Sequence, residues 1–305
     1  MGTRLACETL AQTLKRPIIF VSGKGGVGKT AVSQAIALSH SRRKKTLWIG
    51  FEDPLRPAGE TQKISRSLFH MNCVADLAFE EYVGMKIKIP GLTRLFTQNK
   101  LIQFLAKAGP GIHELVLLGK LWHERHNYDQ IVADMPSTGY GLAMFQSIEN
   151  WSTMFRGGPL FKDAEGMLAT FADPATTGQL IVSLPEEMPL QESLELDQFL
   201  SRIFPENRAS FVVNRRFPAG DTCDTSPEKA PENPDTWPSP VTSSMLEYAR
   251  KRYQLEKFNL RIWNDAAIQF GELPFVAPIT SGRPEASANA LVGILAEHLQ
   301  QRGYV

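Results

Sequence analysis

Three things are scarce in this 305-residue chain: cysteine, excess charge of either sign, and long apolar runs. Cys7, Cys73 and Cys223 are scattered and form no C-x-x-C pair, which argues against a disulfide framework and a cysteine zinc site. The 33 Lys+Arg and 32 Asp+Glu leave a net charge of +1, which argues against nucleic-acid binding by bulk electrostatics. No run reaches the roughly 18 apolar residues of a membrane span. We therefore expect a soluble, cytoplasmic protein.

Short apolar runs do recur, with helical stretches between them. Five of them occupy residues 17–22, 46–51, 130–134, 179–184 and 209–214. They do not alternate polar with apolar residues, and continuous runs rich in Val and Ile are typical of parallel strands covered by helices on both faces. The sequence therefore predicts an α/β fold with a doubly wound, mostly parallel sheet. A sixth run, residues 273–279, contains two prolines and predicts an edge strand that is half loop.

The spacing of these runs predicts how the chain is organised. We expect a single domain over residues 1–305. Residues 60–126 carry no strand signal and predict a helical insert, whereas residues 217–240 are dense in Pro, Asp, Glu and Ser and predict a long flexible loop. The last helix, predicted over residues 284–301, has one apolar face and no basic polar face, so it is expected to dock on its own domain rather than on a membrane.

The first apolar run leads into a glycine-rich loop. Its sequence, Gly23-Lys24-Gly25-Gly26-Val27-Gly28-Lys29-Thr30, fits G-x-x-x-x-G-K-[ST], and a helical pattern begins at Ala31. Glycines let successive N–H groups face inward, and a helix N-terminus adds about half a positive charge. Residues 23–31 are therefore predicted to cradle ATP, with Lys29 on the β and γ phosphates and the Thr30 hydroxyl in the Mg²⁺ shell. The alternative is a glycine turn that matches by chance.

Lys24 is a second lysine in this loop and gives it the form K-G-G-x-G-K-T. This form resembles the deviant Walker A motif of the group that contains the nitrogenase iron protein, MinD, ParA and the anion-transporting ATPases. The resemblance implies a P-loop NTPase that dimerises around nucleotide, as a homodimer or with a paralogous subunit. It also implies that Lys24 reaches the partner's phosphates and joins Lys29 in catalysis, as an arginine finger worth about 10³–10⁵ in rate does elsewhere. A solvated loop lysine is the alternative.

Two further segments resemble switches of the anion-transporting ATPases. Asp53-Pro54 after the second run is similar to their D-P-A-H switch, which implies that Asp53 positions the attacking water; here Leu55-Arg56 replace Ala-His. A helix cap or turn residue is the alternative for Asp53. Residues 134–142, D-M-P-S-T-G-Y-G-L, are similar to D-A-P-A-T-G-H-G-L. The likeness implies that Asp134 holds Mg²⁺ through water and that Pro136, Thr138 and Gly139 sense the γ-phosphate. Tyr140 replaces a histidine, so no charge is available there near neutral pH.

The nucleotide's base is assigned by the same resemblance, which covers residues 16–300. Asn214, at the end of the fifth run, carries both a donor and an acceptor and is implied to read the edge of adenine. Pro274 and Phe275 are implied to pack over the base. A strand-end turn residue is the alternative for Asn214.

The helical insert is the predicted contact for a partner. The resemblance implies a groove there that binds the hydrophobic helix of a protein client, with any membrane association indirect. A buried helix pair explains the same apolar residues, which include Leu101, Ile102, Phe104, Leu105 and the run from Ile112 to Trp122. The zinc-bridging C-x-x-C of the targeting ATPases is absent from the sequence.

The sequence thus predicts an ATP-binding and ATP-hydrolysing dimeric P-loop ATPase of the anion-transporting family. Nucleotide-driven conformational change would act on a protein client or partner. Two alternatives stay open. One is a positioning ATPase like ParA or MinD, which the scarce basic surface disfavours, and the other is a nucleotide-binding scaffold that hydrolyses ATP weakly.

Overall fold

The computed structural model describes residues 10–86, 111–154, 159–217, 240–276 and 284–305. Within these ranges eight strands form one sheet in the order β3-β4-β2-β5-β1-β6-β7-β8. The strands are β1 (Ile18–Ser22), β2 (Thr46–Phe51), β3 (Gln62–Lys63), β4 (Leu68–Cys73), β5 (Gln130–Asp134), β6 (Thr177–Ser183), β7 (Ser210–Arg216) and β8 (Phe270–Pro274). The helices are α1 (Leu10–Thr13), α2 (Lys29–Ser41), α3 (Ala75–Lys86), α4 (Ile112–Glu124), α5 (Thr138–Met154), α6 (Pro159–Ala172), α7 (Glu187–Ile203), α8 (Pro240–Asn259), α9 (Arg261–Asp265) and α10 (Pro284–Gln301).

The sheet is parallel apart from β3, which pairs antiparallel with β4. β1 lies near its centre between β5 and β6. Every residue of β1 and β6 is buried, as expected of strands covered on both faces. The predicted doubly wound, mostly parallel α/β fold is confirmed.

Two apolar layers cover the two faces of the sheet. Ile18 and Phe20 of β1 point into a core shared with α4, α5, α6 and α7. Ile19 and Val21 point the other way, into a core shared with α1, α2 and α10. Because alternate side chains of a strand face opposite sides, one continuous apolar run serves both layers.

The predicted helical insert begins too early in the sequence. Residues 60–74 are not helical: they contain β3 and β4, and β4 pairs with β2 along six residues. This strand, LFHMNC, has no β-branched residue and buries His70 and Asn72, so it lacks the Val or Ile that occurs in the five central strands. The helices of this region start at α3, and residues 87–110, with Leu101, Ile102, Phe104 and Leu105, lie outside the described ranges.

The C-terminal part agrees with the sequence in most respects. β8 is the predicted edge strand, displaced to residues 270–274, and residues 277–279 lie outside the described ranges. So do residues 218–239 of the predicted loop, and the single-domain boundaries stay a prediction. α10 docks on its own domain, as predicted: Leu295 and Leu299 are buried in the α2 layer, and the Ser39 hydroxyl of α2 donates to the Ala296 carbonyl at 3.1 Å. In the described ranges no helix is both long and apolar enough to cross a bilayer.

Candidate nucleotide-binding site

The glycine loop joins β1 to α2 at the carboxyl edge of the sheet. Gly23, Gly26 and Gly28 have φ angles of 148°, 85° and 93°, in the region that favours glycine. A Cβ at Gly23 would lie 2.3 Å from the Val182 carbonyl oxygen of β6. These three positions favour glycine for their backbone conformation, and the role of the loop as a phosphate cradle stays a prediction.

Asn214 of β7 braces this loop. Its side-chain Nδ2 donates to the Val27 carbonyl at 2.9 Å, and its Oδ1 accepts from the Arg215 N–H at 2.9 Å. The Asn214 side chain is almost fully buried, and a Cβ at Gly28 would lie 2.4 Å from its Nδ2. Asn214 therefore supports the phosphate loop directly, and its implied contact with adenine stays a prediction.

The two loop lysines are held differently. Lys29, the first residue of α2, is buried, and its Nζ donates to the Lys24 carbonyl at 2.8 Å. Burial lowers the Lys29 pKa, and the charge of Asp134 partly offsets this. Lys24 is 45% exposed and pairs at 2.5 Å with Glu192 of α7. Lys29 thus points along the loop, whereas Lys24 is available at the surface once Glu192 releases it.

Asp134, the last residue of β5, faces the start of α2. Burial raises the pKa of its carboxyl to about 6, although the Thr30 hydroxyl, the Lys29 charge and the Ser33 hydroxyl act in the opposite direction. Its Oδ1 is buried with no hydrogen-bond partner. An orphaned carboxylate oxygen beside a threonine hydroxyl fits the Mg²⁺ ligands of a P-loop site, where phosphates and water complete the shell. No group of three or more His, Cys, Asp or Glu able to hold a metal occurs in the described ranges.

Asp53 lies in the loop that follows β2 and is fixed from two sides. Its backbone N–H donates to Oδ1 of Asn72 at 3.0 Å, and Nδ2 of Asn72 donates to the Asp53 carbonyl at 2.8 Å. The Asp53 carboxylate accepts from the Leu55 N–H at 2.9 Å and pairs with the Arg56 Nε at 3.0 Å. The carboxylate therefore has a turn contact, as its alternative role predicted, and a cation beside it.

Arg56 connects this switch to the phosphate loop through Trp48 of β2. Its guanidinium lies over the Trp48 ring, 4.6 Å from the centroid. The Trp48 Nε1 donates to the Ser33 hydroxyl of α2 at 3.0 Å. The charge of Arg56 also lowers the pKa of the Asp134 carboxyl, so the guanidinium stands close enough to both switch carboxylates to act on them.

The second switch begins α5. Thr138 and Gly139 are its first residues, and Tyr140 and Gly141 donate their N–H groups to the Ser137 carbonyl at 3.0 Å. A Cβ at Gly25 would lie 4.0 Å from the Ser137 Cβ, so this turn faces the phosphate loop. Burial raises the Tyr140 pKa to about 12, and nearby Glu114 adds to the shift, so Tyr140 stays neutral. Pro136 precedes the turn, between Asp134 and α5.

The residues assigned to the base lie at the ends of β7 and β8. Pro274 ends β8, and the Phe275 N–H donates to the Arg216 carbonyl at 2.7 Å. The Phe275 ring stacks on Phe217 with centroids 4.7 Å apart and planes at 10°. An aromatic pair therefore lies at the ends of β7 and β8, and the packing of Pro274 and Phe275 over adenine stays a prediction.

Sequence reasoning missed four residues of this site: Arg56, Asn72, Glu192 and Phe217. Arg56 was visible as a departure from the D-P-A-H pattern. Asn72 was hidden by the unrecognised strand β4, and Phe217 by its place at the start of the predicted loop. No local signal marks Glu192, which lies 168 residues from Lys24.

The site has a glycine loop between a central parallel strand and a helix. A buried lysine follows the loop, and an aspartate with an unpartnered carboxylate oxygen faces it. Together these features define a P-loop fold of the deviant Walker A class. Residues 16–157 match the family model of the anion-transporting ATPases. ATPase BagA of Mycobacterium tuberculosis is 28% identical over 223 residues, which are 65% of each chain. An ATPase ASNA1 homolog of Entamoeba dispar is 25% identical over 70% of this chain and 80% of its own. A putative arsenical pump-driving ATPase 2 of Aquifex aeolicus is 30% identical over 149 residues, which are 44% of this chain and 50% of its own.

The family-model match includes the glycine loop and both switches, so this part of the chain is similar to the anion-transporting ATPases. The match spans 65% of the length of the mycobacterial relative, just under two thirds.

The bracing role of Asn214 predicts a loss of stability without any ligand. Asn214→Ala leaves the buried Val27 carbonyl without a donor and should lower the free energy of unfolding by about 1–3 kcal/mol in nucleotide-free protein. Urea denaturation measures this. The control is Asn150→Ala on the exposed face of α5, expected within about 0.5 kcal/mol of the parent. Unchanged stability of Asn214→Ala together with weakened ATP binding would instead assign Asn214 to adenine alone.

The raised pKa of Asp134 predicts that its charge destabilises the metal-free protein. The folded state holds this proton more tightly than the unfolded chain, so the contribution of Asp134 to stability falls as pH rises from about 4 to about 6. In EDTA, Asp134→Asn should therefore be more stable than the parent by about 3 kcal/mol above pH 7, with the gap closing near pH 4. Denaturation across this pH range measures the gap; a gap that is independent of pH would contradict the assignment.

Proposed function

We propose that the protein binds Mg-ATP at this site, hydrolyses it and uses the cycle to rearrange its helical layer. By this we mean helices α3, α4, α5 and α6, which pack on one face of the sheet. The observation that carries the proposal is the orphaned Asp134 oxygen facing a glycine-shaped loop with Lys29 and Thr30. Such a constellation has a physical use when a polyphosphate and a hard cation complete it. The match of residues 16–157 to the anion-transporting ATPases and the named activity of the relatives support the same conclusion.

The residues divide the work of phosphoryl transfer. The loop N–H groups and Lys29 bind the β and γ phosphates, while Thr30 and Asp134 hold Mg²⁺, which neutralises phosphate charge when bound. Asp53 orients the attacking water. For this, its carboxylate must exchange the Arg56 ion pair for a hydrogen bond to that water. Both side chains of the pair are about one-third exposed, so the pair is weak enough to open.

Covalent neighbours of Asp53 connect the site to the helical layer. Glu52 has a φ of 52°, and its carboxylate accepts from the N–H of Ala75, the first residue of α3, at 2.7 Å. A movement of Asp53 therefore pulls on the N-terminus of α3. Because α3 packs on α4, and α5 starts from the second switch, both switches act on the same layer.

A partner is proposed to contact this layer, as the resemblance implied. In its described part Leu115, Val116, Leu117, Leu118 and Leu121 are buried, in line with the buried-helix alternative. Next to them an apolar cavity of about 240 Å³ opens between α3, α4 and α6, lined by Tyr82, Met85, Trp122 and Met167 among others. The cavity, rather than the buried helix face, supports contact with a protein client.

A nucleotide-bridged dimer is proposed as the active form. The surface around the glycine loop supports it, because Leu55 beside Asp53 is 92% exposed and Met188 on α7 is 59% exposed. Large apolar side chains at such exposure suit an interface. Lys24, between them in sheet order, would leave Glu192 and reach the second protomer's phosphates.

A scaffold that hydrolyses ATP weakly is the second candidate, favoured by the Arg56–Asp53 ion pair. If the pair persisted with ATP bound, Asp53 could not orient water. The variant Arg56→Ala distinguishes the weakly hydrolysing scaffold from the ATPase. If the ion pair restrains Asp53, kcat should rise severalfold. If the pair opens when ATP binds, kcat should stay largely unchanged.

Two substitutions test the division of work between binding and hydrolysis. Lys29→Ala should abolish ATP binding measured by calorimetry, because it removes the buried cation of the loop. Asp53→Asn should bind Mg-ATP with unchanged affinity and lower kcat by about 100-fold or more, as expected when a group that orients the nucleophile is lost. Phosphate release measures kcat. Parent-like turnover in Asp53→Asn would remove Asp53 from the mechanism.

The ion pair between Lys24 and Glu192 predicts a control on dimerisation. Glu192→Gln removes the charge that holds Lys24 within its own protomer, so the dimer fraction with a non-hydrolysable ATP analogue should rise at a given protein concentration. Sedimentation velocity measures it. Glu195→Gln is the matched control, since Glu195 lies exposed on the same helix. An unchanged dimer fraction in Glu192→Gln would show that the pair does not restrain Lys24.

A further inference from the structure

A second cavity, which is polar, lies at the amino ends of the parallel strands, where β1, β2 and β5 begin. This is the end of the sheet opposite to the glycine loop. The cavity volume is about 360 Å³. Positive side chains dominate its lining, which includes Lys15 before β1, Arg42, Arg43 and Lys44 before β2, His40 in the last turn of α2 and Gln300 of α10. Four cations around one cavity are notable in a chain whose net charge is only +1.

No ion pair within the described ranges compensates these cations, although Val305, whose terminal carboxylate is the one negative group of the lining, also borders the cavity. Arg42 donates to the Gln300 side-chain oxygen, and Lys44 donates to the Gln130 side-chain oxygen at 3.1 Å, both neutral acceptors. Lys15 and Arg43 make no side-chain hydrogen bond or ion pair within the described ranges. None of the four cations has a described carboxylate within ion-pair distance. A cavity walled by unpaired cations attracts anions.

The end of α2 does not account for these side chains. The His40 carbonyl, in the last turn of this helix, already accepts the backbone N–H groups of Arg43 at 2.9 Å and of Lys44 at 3.0 Å. The helix end therefore does not use the Arg43 side chain, and the Lys44 side chain contacts only the neutral Gln130 oxygen.

His40 supplies a second and independent indication of a ligand. Its ring is only 6% exposed, and its Nε2 is buried without any hydrogen-bond partner. The other ring nitrogen bonds the backbone of Leu14. Burial, aided by the charge of Lys44, lowers the His40 pKa to about 4, so the ring is neutral near pH 7. With its proton on the nitrogen that faces Leu14, Nε2 presents a lone pair, and this acceptor needs a donor.

We propose that this cavity binds inorganic phosphate, which keeps one P–OH group as the dianion near neutral pH. The negative oxygens meet Lys15, Arg43 and their neighbours, and the P–OH group donates to the His40 Nε2. Sulfate has the same shape but no O–H near neutral pH, so it fits the cations and not the histidine. The recessed position of His40 favours a soluble ligand over a lipid headgroup at a bilayer surface.

This site is separate from the nucleotide site. α2 starts at the glycine loop and ends at the cavity, and its 13 residues span about 20 Å. The two sites can therefore be titrated independently when the glycine loop is disabled.

The test uses the full chain carrying Lys29→Ala, so that phosphate cannot report on the nucleotide site. Calorimetric titration with inorganic phosphate should saturate, and sulfate should bind at least fivefold more weakly. Adding Lys15→Ala and Arg43→Ala, both exposed positions, should weaken phosphate binding by about tenfold or more. The ring resonances of His40 should shift on phosphate addition in the Lys29→Ala protein.

The matched control carries Lys162→Ala and Lys257→Ala, which remove two exposed lysines that do not line the cavity. This pair should leave the affinity unchanged. Absence of saturation with phosphate, or equal losses in both pairs, would overturn the site, and equal binding of sulfate would overturn the role of His40. Binding to phosphatidic acid vesicles without binding of free phosphate would overturn the soluble source.

Discussion

The parallel register of the sheet is the constraint on which everything else depends. Parallel strands end at one edge, so β1, β2, β5 and β7 deliver the glycine loop, Asp53, Asp134 and Asn214 to a single place although they are far apart in sequence. The same register brings the starts of β1, β2 and β5 together at the other edge, where the connections carry Lys15, Arg43 and Lys44. Both edges thus gather residues that no local segment could assemble.

Several features at the carboxyl edge of the sheet, around the glycine loop, lower the stability of the folded protein. A buried carboxylate oxygen without a partner, a buried lysine bonded to a carbonyl, and Glu52 in a left-handed conformation each raise the free energy of the folded protein. The sheet can bear these costs because its central strands are buried on both faces. Two of these features would be relieved by the same ligand, because a bound polyphosphate and Mg²⁺ would satisfy both the carboxylate oxygen and the lysine. The resting site is therefore arranged to gain stability from its ligand.

Much of this was accessible from the sequence, and the failures have physical causes. Five Val- and Ile-rich runs predicted five central strands, and the glycine loop predicted its own geometry. The strand β4 was missed because its buried side chains include His70 and Asn72, which carry no β signal. That error hid the bond from Asn72 that fixes Asp53. The Lys24–Glu192 pair and the contact between Asn214 and Val27 join residues more than 160 positions apart, so they depend on the tertiary fold and on no local pattern.

The two proposed phosphate sites lie at opposite ends of α2 and differ in the source of their positive potential. At its N-terminus, backbone N–H groups and the helix dipole supply positive potential, so two lysines suffice. At its C-terminus the dipole is negative and repels an anion, so side chains must provide the charge. Lys45 is engaged elsewhere, over the Tyr128 ring at 4.7 Å, and serves the ordinary role of a surface cation. The other three residues of the basic run at 42–45, with Lys15, exceed what the helix end needs, and it is this excess beside an unpartnered histidine that distinguishes a binding site from a capped helix.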